Sequence, residues 1–238
     1  MSNGTILQDT VVERGLIRVG AWSAIIGAIL FMIANIVHPR SPNIEITVKQ
    51  IETVAHSHIW VTDHLQLLLG GLLLLPALIA IQRCITTGAG AVWAYLGYLS
   101  AVVSTSLWVV LMALDGLTSK VVHAAWAAAP EGEKAMALRV AEAMEEIDVG
   151  LFSVYIIVFF GVTFILYGLA VSRSDRFPTW LGWAAVILGL ASFIDGMVQA
   201  YTGLSVLVTN ILFASFSSLL TLWILIMGIL MWRKLRQA

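Results

Sequence analysis

Charged side chains are scarce in this sequence. The 13 Lys and Arg and 14 Asp and Glu make up 11% of 238 residues, where a soluble domain carries roughly 25%. So few charges cannot cover a water-facing surface, which excludes a soluble globule and leaves lipid to solvate the exterior. Cysteine is nearly absent. Cys84 stands alone, which rules out an intrachain disulfide and a cysteine-cluster metal site. A net charge of −1 offers nothing to nucleic acid, so no such partner is expected. HExxH, paired ExxH and GxSxG are also missing. The helix-borne zinc-protease, di-metal carboxylate and nucleophile-elbow patterns therefore do not apply.

What the sequence has is long apolar runs: 60% of residues are hydrophobic and the mean hydropathy is +0.93. Six spans read at about 16–38, 58–81, 92–117, 147–171, 178–201 and 205–231. Each has the ~20 residues that cross a ~30 Å hydrocarbon core. None alternates like a strand, so helices must satisfy the backbone in lipid. The expected fold is an all-α integral membrane protein, a six-helix bundle forming a single transmembrane domain over 1–238. The apolar stretch Leu16–Val37 is too long for a typical signal-peptide core and reads as a retained helix, although an uncleaved signal anchor would look the same. Pro178 suits the first turn of the fifth span, and Pro76 should kink the second.

Basic residues set the expected orientation. Arg14, Arg18, Arg83, Arg173, Arg176, Arg233, Lys234 and Arg236 lie on one side, mostly in short flanks. Arg40, Lys49, Lys120, Lys134 and Arg139 lie on the other, in two longer loops. Both termini are thus expected in the cytoplasm, with the chain in a plasma or inner membrane. Trp22, Trp93, Trp180, Trp183 and Trp232 read as an inner aromatic belt, Trp60 and Trp126 as an outer one. The loop 39–57 should hold a short helix near Glu45–Ala55, and 118–146 two helices broken at Pro130. In the second of these Met136, Val140, Met144 and Ile147 form an apolar stripe, expected to rest on the interface or cap the bundle.

The first, third and fifth spans begin alike, with Gly20, Gly97 and Gly182. A small residue follows each after seven positions and an aromatic four further on. This suggests three repeated helical hairpins. Gly182, Gly189 and Gly196, like Gly20 with Gly27 and Gly161 with Gly168, sit at heptad spacing and should let helices approach closely.

The polar residues of the spans gather at one depth. Asn35 and His38, Asp63 and His64, Asp115, Asp148, Asp195 and Gln199, and Thr209 and Asn210 all fall within ~10 Å of the outer boundary at ~1.5 Å per residue. The inner halves carry little that compares, so a shared polar pocket open to the outer face is expected. Asp63, His64, Asp115, Asp148 and Asp195 are its candidate catalytic groups. Trp60, Trp108, Tyr155, Phe193, Gln199 and Asn210 are its candidate substrate contacts. A carboxylic acid buried beside apolar rings can serve as a proton donor, and π faces can hold a developing cation. His56, His58 and His64 are the expected ligands if a divalent metal binds. Haem is disfavoured, because no second buried histidine is expected to face His64 and His38 reads as a helix end before Pro39.

These features fit a membrane-embedded enzyme that modifies a lipid or isoprenoid-like substrate by acid–base or metal-assisted chemistry. The expected partners are the bilayer and an apolar or amphipathic small molecule. The alternatives are a non-enzymatic binding, sensing or assembly protein, or a small-molecule transporter. A transporter would need polar groups on a path through the inner half as well.

Overall fold

The computed structural model describes residues 3–237 and is helical throughout, with no strand among those residues. Seven helices follow in order. They are α1 (Asn3–Val37), α2 (Thr47–His56), α3 (Trp60–Cys84), α4 (Ala91–Ala128), α5 (Glu131–Ser172), α6 (Thr179–Thr202) and α7 (Val206–Arg236). All but α2 are long and apolar enough to cross a membrane, six candidate spans in total. This is the architecture of a multi-pass membrane protein. Trp22, midway along α1, packs on Trp232 near the end of α7, ring centroids 4.9 Å apart. The end of the bundle at which α1 enters and α7 leaves is called proximal below; the other end is distal. Arg173 stacks over Trp93 and Arg236 over Trp232 at the proximal end, 5.0 and 5.5 Å from the ring centroids.

Small residues set the two closest pairings. Gly20 of α1 lies on Ala80 and the Pro76 carbonyl of α3, and Gly70 of α3 lies on the Phe31 backbone. On α6, Gly182, Gly189 and Gly196 all face α5, where they meet Ser172 and Gly168, then Ile165 and Gly161, then Ile156 and Ile157. The heptad glycines are thus a packing seam. In lipid such a seam supplies van der Waals contact that apolar burial cannot. The proximal half is filled by rings and methyls, with Phe160, Phe164, Tyr167 and Trp223 nearly fully buried. Two of its polar groups tie neighbouring helices through backbone carbonyls: Tyr167 Oη donates to Leu78 O at 2.9 Å, and Trp223 Nε1 to Leu181 O at 2.9 Å.

The 38 residues of α4 and 42 of α5 exceed what a bilayer requires. Both run on past the spans at the distal end, joined only by residues 129–130. There they carry α2, packed through Ile51 against Trp126 and Ala141. The segment after Pro130 is therefore no separate surface helix but the first part of α5. Its rotation is fixed by the packing of α5 as a whole. Ala137, Leu138, Ala141 and Met144 turn inward, while Met136, Val140 and Ile147 of the expected stripe stay exposed. Trp60 and Trp126 are likewise buried rather than arranged as an outer belt.

Lys120 fastens this cap. Its ammonium donates to the carbonyls of Val54, Ala55 and Ser57 at 3.0, 2.7 and 2.7 Å. A cation there satisfies the orphan carbonyls at the C-terminus of α2 and meets the negative end of its dipole. Hydrogen bonds to a charged group are worth about 1.5–3 kcal/mol. Lys120→Met should therefore speed amide exchange in α2 by at least tenfold while the spans stay protected. Unchanged exchange would show that Ile51 and its neighbours hold the cap alone.

Candidate functional site

Two helix ends and a widened stretch within α4 bring the polar groups together at the distal end. The N–H of His38 still bonds Ala34 O at 2.8 Å, and Pro39 then stops α1, so the imidazole leaves the last turn of the helix. Asp63 lies in the first turn of α3, where the helix dipole favours a carboxylate. Asp115 lies in a π-helical stretch of α4, Met112–Ser119. Two further π-helical stretches, Ile156–Thr163 in α5 and Val206–Phe213 in α7, border the same region. The hydroxyls of Thr118, Ser119 and Thr163 bond carbonyls five residues back, as the wider turn demands. Such widenings often mark functional positions, because they re-aim side chains that a regular helix would direct elsewhere.

His64 and His38 are held by defined partners. His64 is buried, with Nδ1 2.7 Å from Trp60 O. A carbonyl only accepts, so Nδ1 carries the hydrogen. Nε2 lies 3.0 Å from Asp115 Oδ2, and one proton is shared between them. Either an imidazolium faces a carboxylate or a neutral ring accepts from the acid. Trp60 Nε1 donates to the Asp115 carbonyl at 2.8 Å, so α3 grips α4 twice at this residue. Gly116 packs directly on His64 Cβ, and a side chain there would displace the imidazole. His38 Nδ1 lies 2.6 Å from Asp63 Oδ2, and the His38 and His64 rings are 5.1 Å apart. His123 Nε2 lies 3.3 Å from Glu145 Oε1 between α4 and α5, but neither ring nitrogen of His123 makes a hydrogen bond.

These groups border a cavity of about 130 Å³. Its polar wall is His38, His64, Asp115, Glu145 and Asp148, with Asn35, Thr209 and Asn210 across from them. Its floor is aromatic: Phe31, Trp108, Phe152, Tyr155 and Phe213. Trp108 and Tyr155 stack with centroids 4.7 Å apart, and Phe31 lies 5.7 Å from Trp108. Arg40 is the one cation on the wall, its Nη2 held by the carbonyl and side-chain oxygens of Asn35 at 2.6 and 2.7 Å. Asp148 Oδ1 is buried with no hydrogen-bond partner. A second hollow, between α1 and α7, shares Asn35, Arg40 and Ala214 with the cavity and adds Met32, Ile36 and Leu219.

Of the residues singled out from sequence, Trp60, His64, Trp108, Asp115, Asp148, Tyr155 and Asn210 line this cavity. Asp63 stands behind His38 and reaches the cavity only through it. Asp195, Phe193 and Gln199 all belong to α6, the one span that contributes no lining residue. Both Asp195 oxygens are buried without partners. Gln199 donates to Ser153 Oγ at 3.1 Å and accepts from Thr209 Oγ1 at 2.9 Å, a tie between α5, α6 and α7. Phe193 packs on Gly161.

His56 and His58 are exposed. The expected ligand set of His56, His58 and His64 is not brought together, because residues 57–59 break the helix and α3 starts afresh at Trp60. His38 was the missing member. It is the second histidine that faces His64 from another part of the chain, and its directly following proline disguised it as a simple helix end. No protein-family model matches the chain, and neither a curated protein nor a solved structure is similar to it.

Proposed function

We propose that this protein is a membrane-embedded enzyme whose distal cavity performs acid–base chemistry on an amphipathic, lipid-class substrate. One observation carries the reading. A single cavity gathers a His–Asp pair, two further carboxylates and an aromatic floor, and one of those carboxylates has a buried oxygen with no partner. Buried polar atoms in native proteins are almost always satisfied, and the exceptions cluster where chemistry is done.

The roles follow from the geometry. His64 is oriented through Nδ1 by the Trp60 carbonyl, so Nε2 exchanges its proton with Asp115. Asp148 and Glu145 lie on the same wall and can take or give a second proton. The faces of Trp108 and Tyr155 suit the apolar part of a substrate or a cation developing on it. The hollow between α1 and α7 supports the substrate class. Its apolar side chains, Met32, Ile36 and Leu219, offer a lipid tail a way in beside Arg40 and Asn35, which can hold a polar head. A packed proximal half with no charged group among its buried residues argues against a carrier, which needs polar groups along the whole path.

The test is turnover by the full-length protein in vesicles made from a total lipid extract, with products read by mass spectrometry. A substrate–product pair should appear with the wild type and be absent with His64→Gln. Identical lipid profiles for the two proteins would end the enzyme reading.

A further inference from the structure

The charge around the cavity does not balance. Asp63, Asp115, Glu145 and Asp148 stand within one region, yet their ion-pair partners among the described residues are histidines alone, and Asp148 has none. No lysine or arginine pairs with any of the four. Arg40 spends its Nη2 on Asn35. A buried carboxylate without a countercharge is expensive, most of all inside a membrane protein. Asp63 is the sharpest case: its side chain is 1% exposed, and Oδ1 has no hydrogen-bond partner.

We infer that His38, Asp63 and His64 bind a divalent metal of the zinc class. One ligand atom from each lies within 4.8 Å of the other two. His38 Nδ1 is 2.6 Å and His64 Nδ1 3.9 Å from Asp63 Oδ2. Bonds of about 2.0–2.2 Å in a tetrahedral site place neighbouring ligand atoms roughly 3.3–3.5 Å apart. The two separations from Asp63 bracket that spacing, and the 4.8 Å limit on all three is within reach of side-chain rotation. Two imidazoles and a carboxylate are a borderline donor set that suits zinc and its neighbours rather than magnesium or calcium.

His64 also has the outer partner that metal-bound histidines need. With the metal on Nδ1, Nε2 keeps its hydrogen and donates it to Asp115, a carboxylate–histidine–metal relay. Loading releases the Nδ1 proton and gives up the bond to Trp60 O. Three protein ligands leave the fourth position of a tetrahedral site unfilled by the chain, the arrangement of a catalytic rather than a structural site. The inference rests on the reading of this cavity as the working site, and its test keeps the two separable.

The full chain, purified in detergent without chelator from zinc-supplemented cells, should carry about one metal ion by elemental mass spectrometry. After metal removal, Co²⁺ should give the visible ligand-field absorption of a tetrahedral site. His38→Gln and Asp63→Asn, each shown to keep the wild-type helical content, should weaken that titration by about tenfold or more. A chain that arrives metal-free and takes up no Co²⁺ overturns the site, as does undiminished uptake by both variants. Turnover that survives complete metal removal overturns the catalytic role of the metal while leaving the acid–base reading intact. Metal bound at these residues in a protein that alters no lipid has the opposite meaning: the site holds and the enzyme reading fails.

Discussion

Asp148→Asn is expected to abolish turnover while making the protein more stable. A positioned acid or base contributes about 10²–10⁴-fold to rate, and the amide can neither take nor give that proton. Stability should move the other way, because Asp148 keeps a buried oxygen with no partner and no cation beside it. Removing a buried acid group that has no partner should be stabilising, and 1 kcal/mol shifts the melting temperature of a protein this size by roughly 2–4 °C. The pair of measurements is lipid turnover in vesicles and thermal unfolding in detergent. Lost activity with a higher melting temperature identifies a group kept for chemistry at the expense of the fold. A melting temperature that falls would instead make Asp148 a structural residue.

Gly182→Val should have the largest effect on the fold itself. A Cβ at Gly182 would press on the backbone of Ser172 and on the carbonyl of Gly168. Backbone cannot rotate aside as a side chain can, so α5 and α6 must separate along the seam that Gly189 and Gly196 continue. Overpacking costs about 1–3 kcal/mol where side chains can yield, and the upper end or more is expected here. The readout is the fraction of detergent-solubilised protein that stays monodisperse on heating. Gly15, with nothing within 4 Å of its Cβ position, is the matched control, and Gly15→Val should behave as wild type.

The six crossings were legible because length and hydropathy decide them one helix at a time. Much of the cavity was legible for a related reason. Residues such as His64, Asp115 and Asp148 are too polar for lipid, and their depth along each helix follows from counting. Depth is a single coordinate, however. It could not show that α6 turns its glycines to α5 and contributes nothing to the cavity, which leaves Asp195 at the right level but outside the lining. Lateral position depends on which helix neighbours which, and a single sequence does not carry that. His38 and His56 failed in opposite directions for one reason. Both lie at helix ends, where a turn of two or three residues re-aims a side chain that helical phase alone cannot place. The π-helical stretch around Asp115 is a milder case, since it alters the phase within a helix whose existence was never in doubt.

The reach of α4 and α5 changes what can arrive at the cavity. At ~1.5 Å per residue their 38 and 42 residues extend ~57 and ~63 Å, about twice a ~30 Å hydrocarbon layer. Their surplus stands at the distal end with α2 bound to it, beside the His and Asp groups. On the proposed reading, a reactant dissolved in water can meet that rim without crossing lipid, while one dissolved in the bilayer would enter sideways between α1 and α7. Two compounds that never share a solvent would meet at one set of side chains.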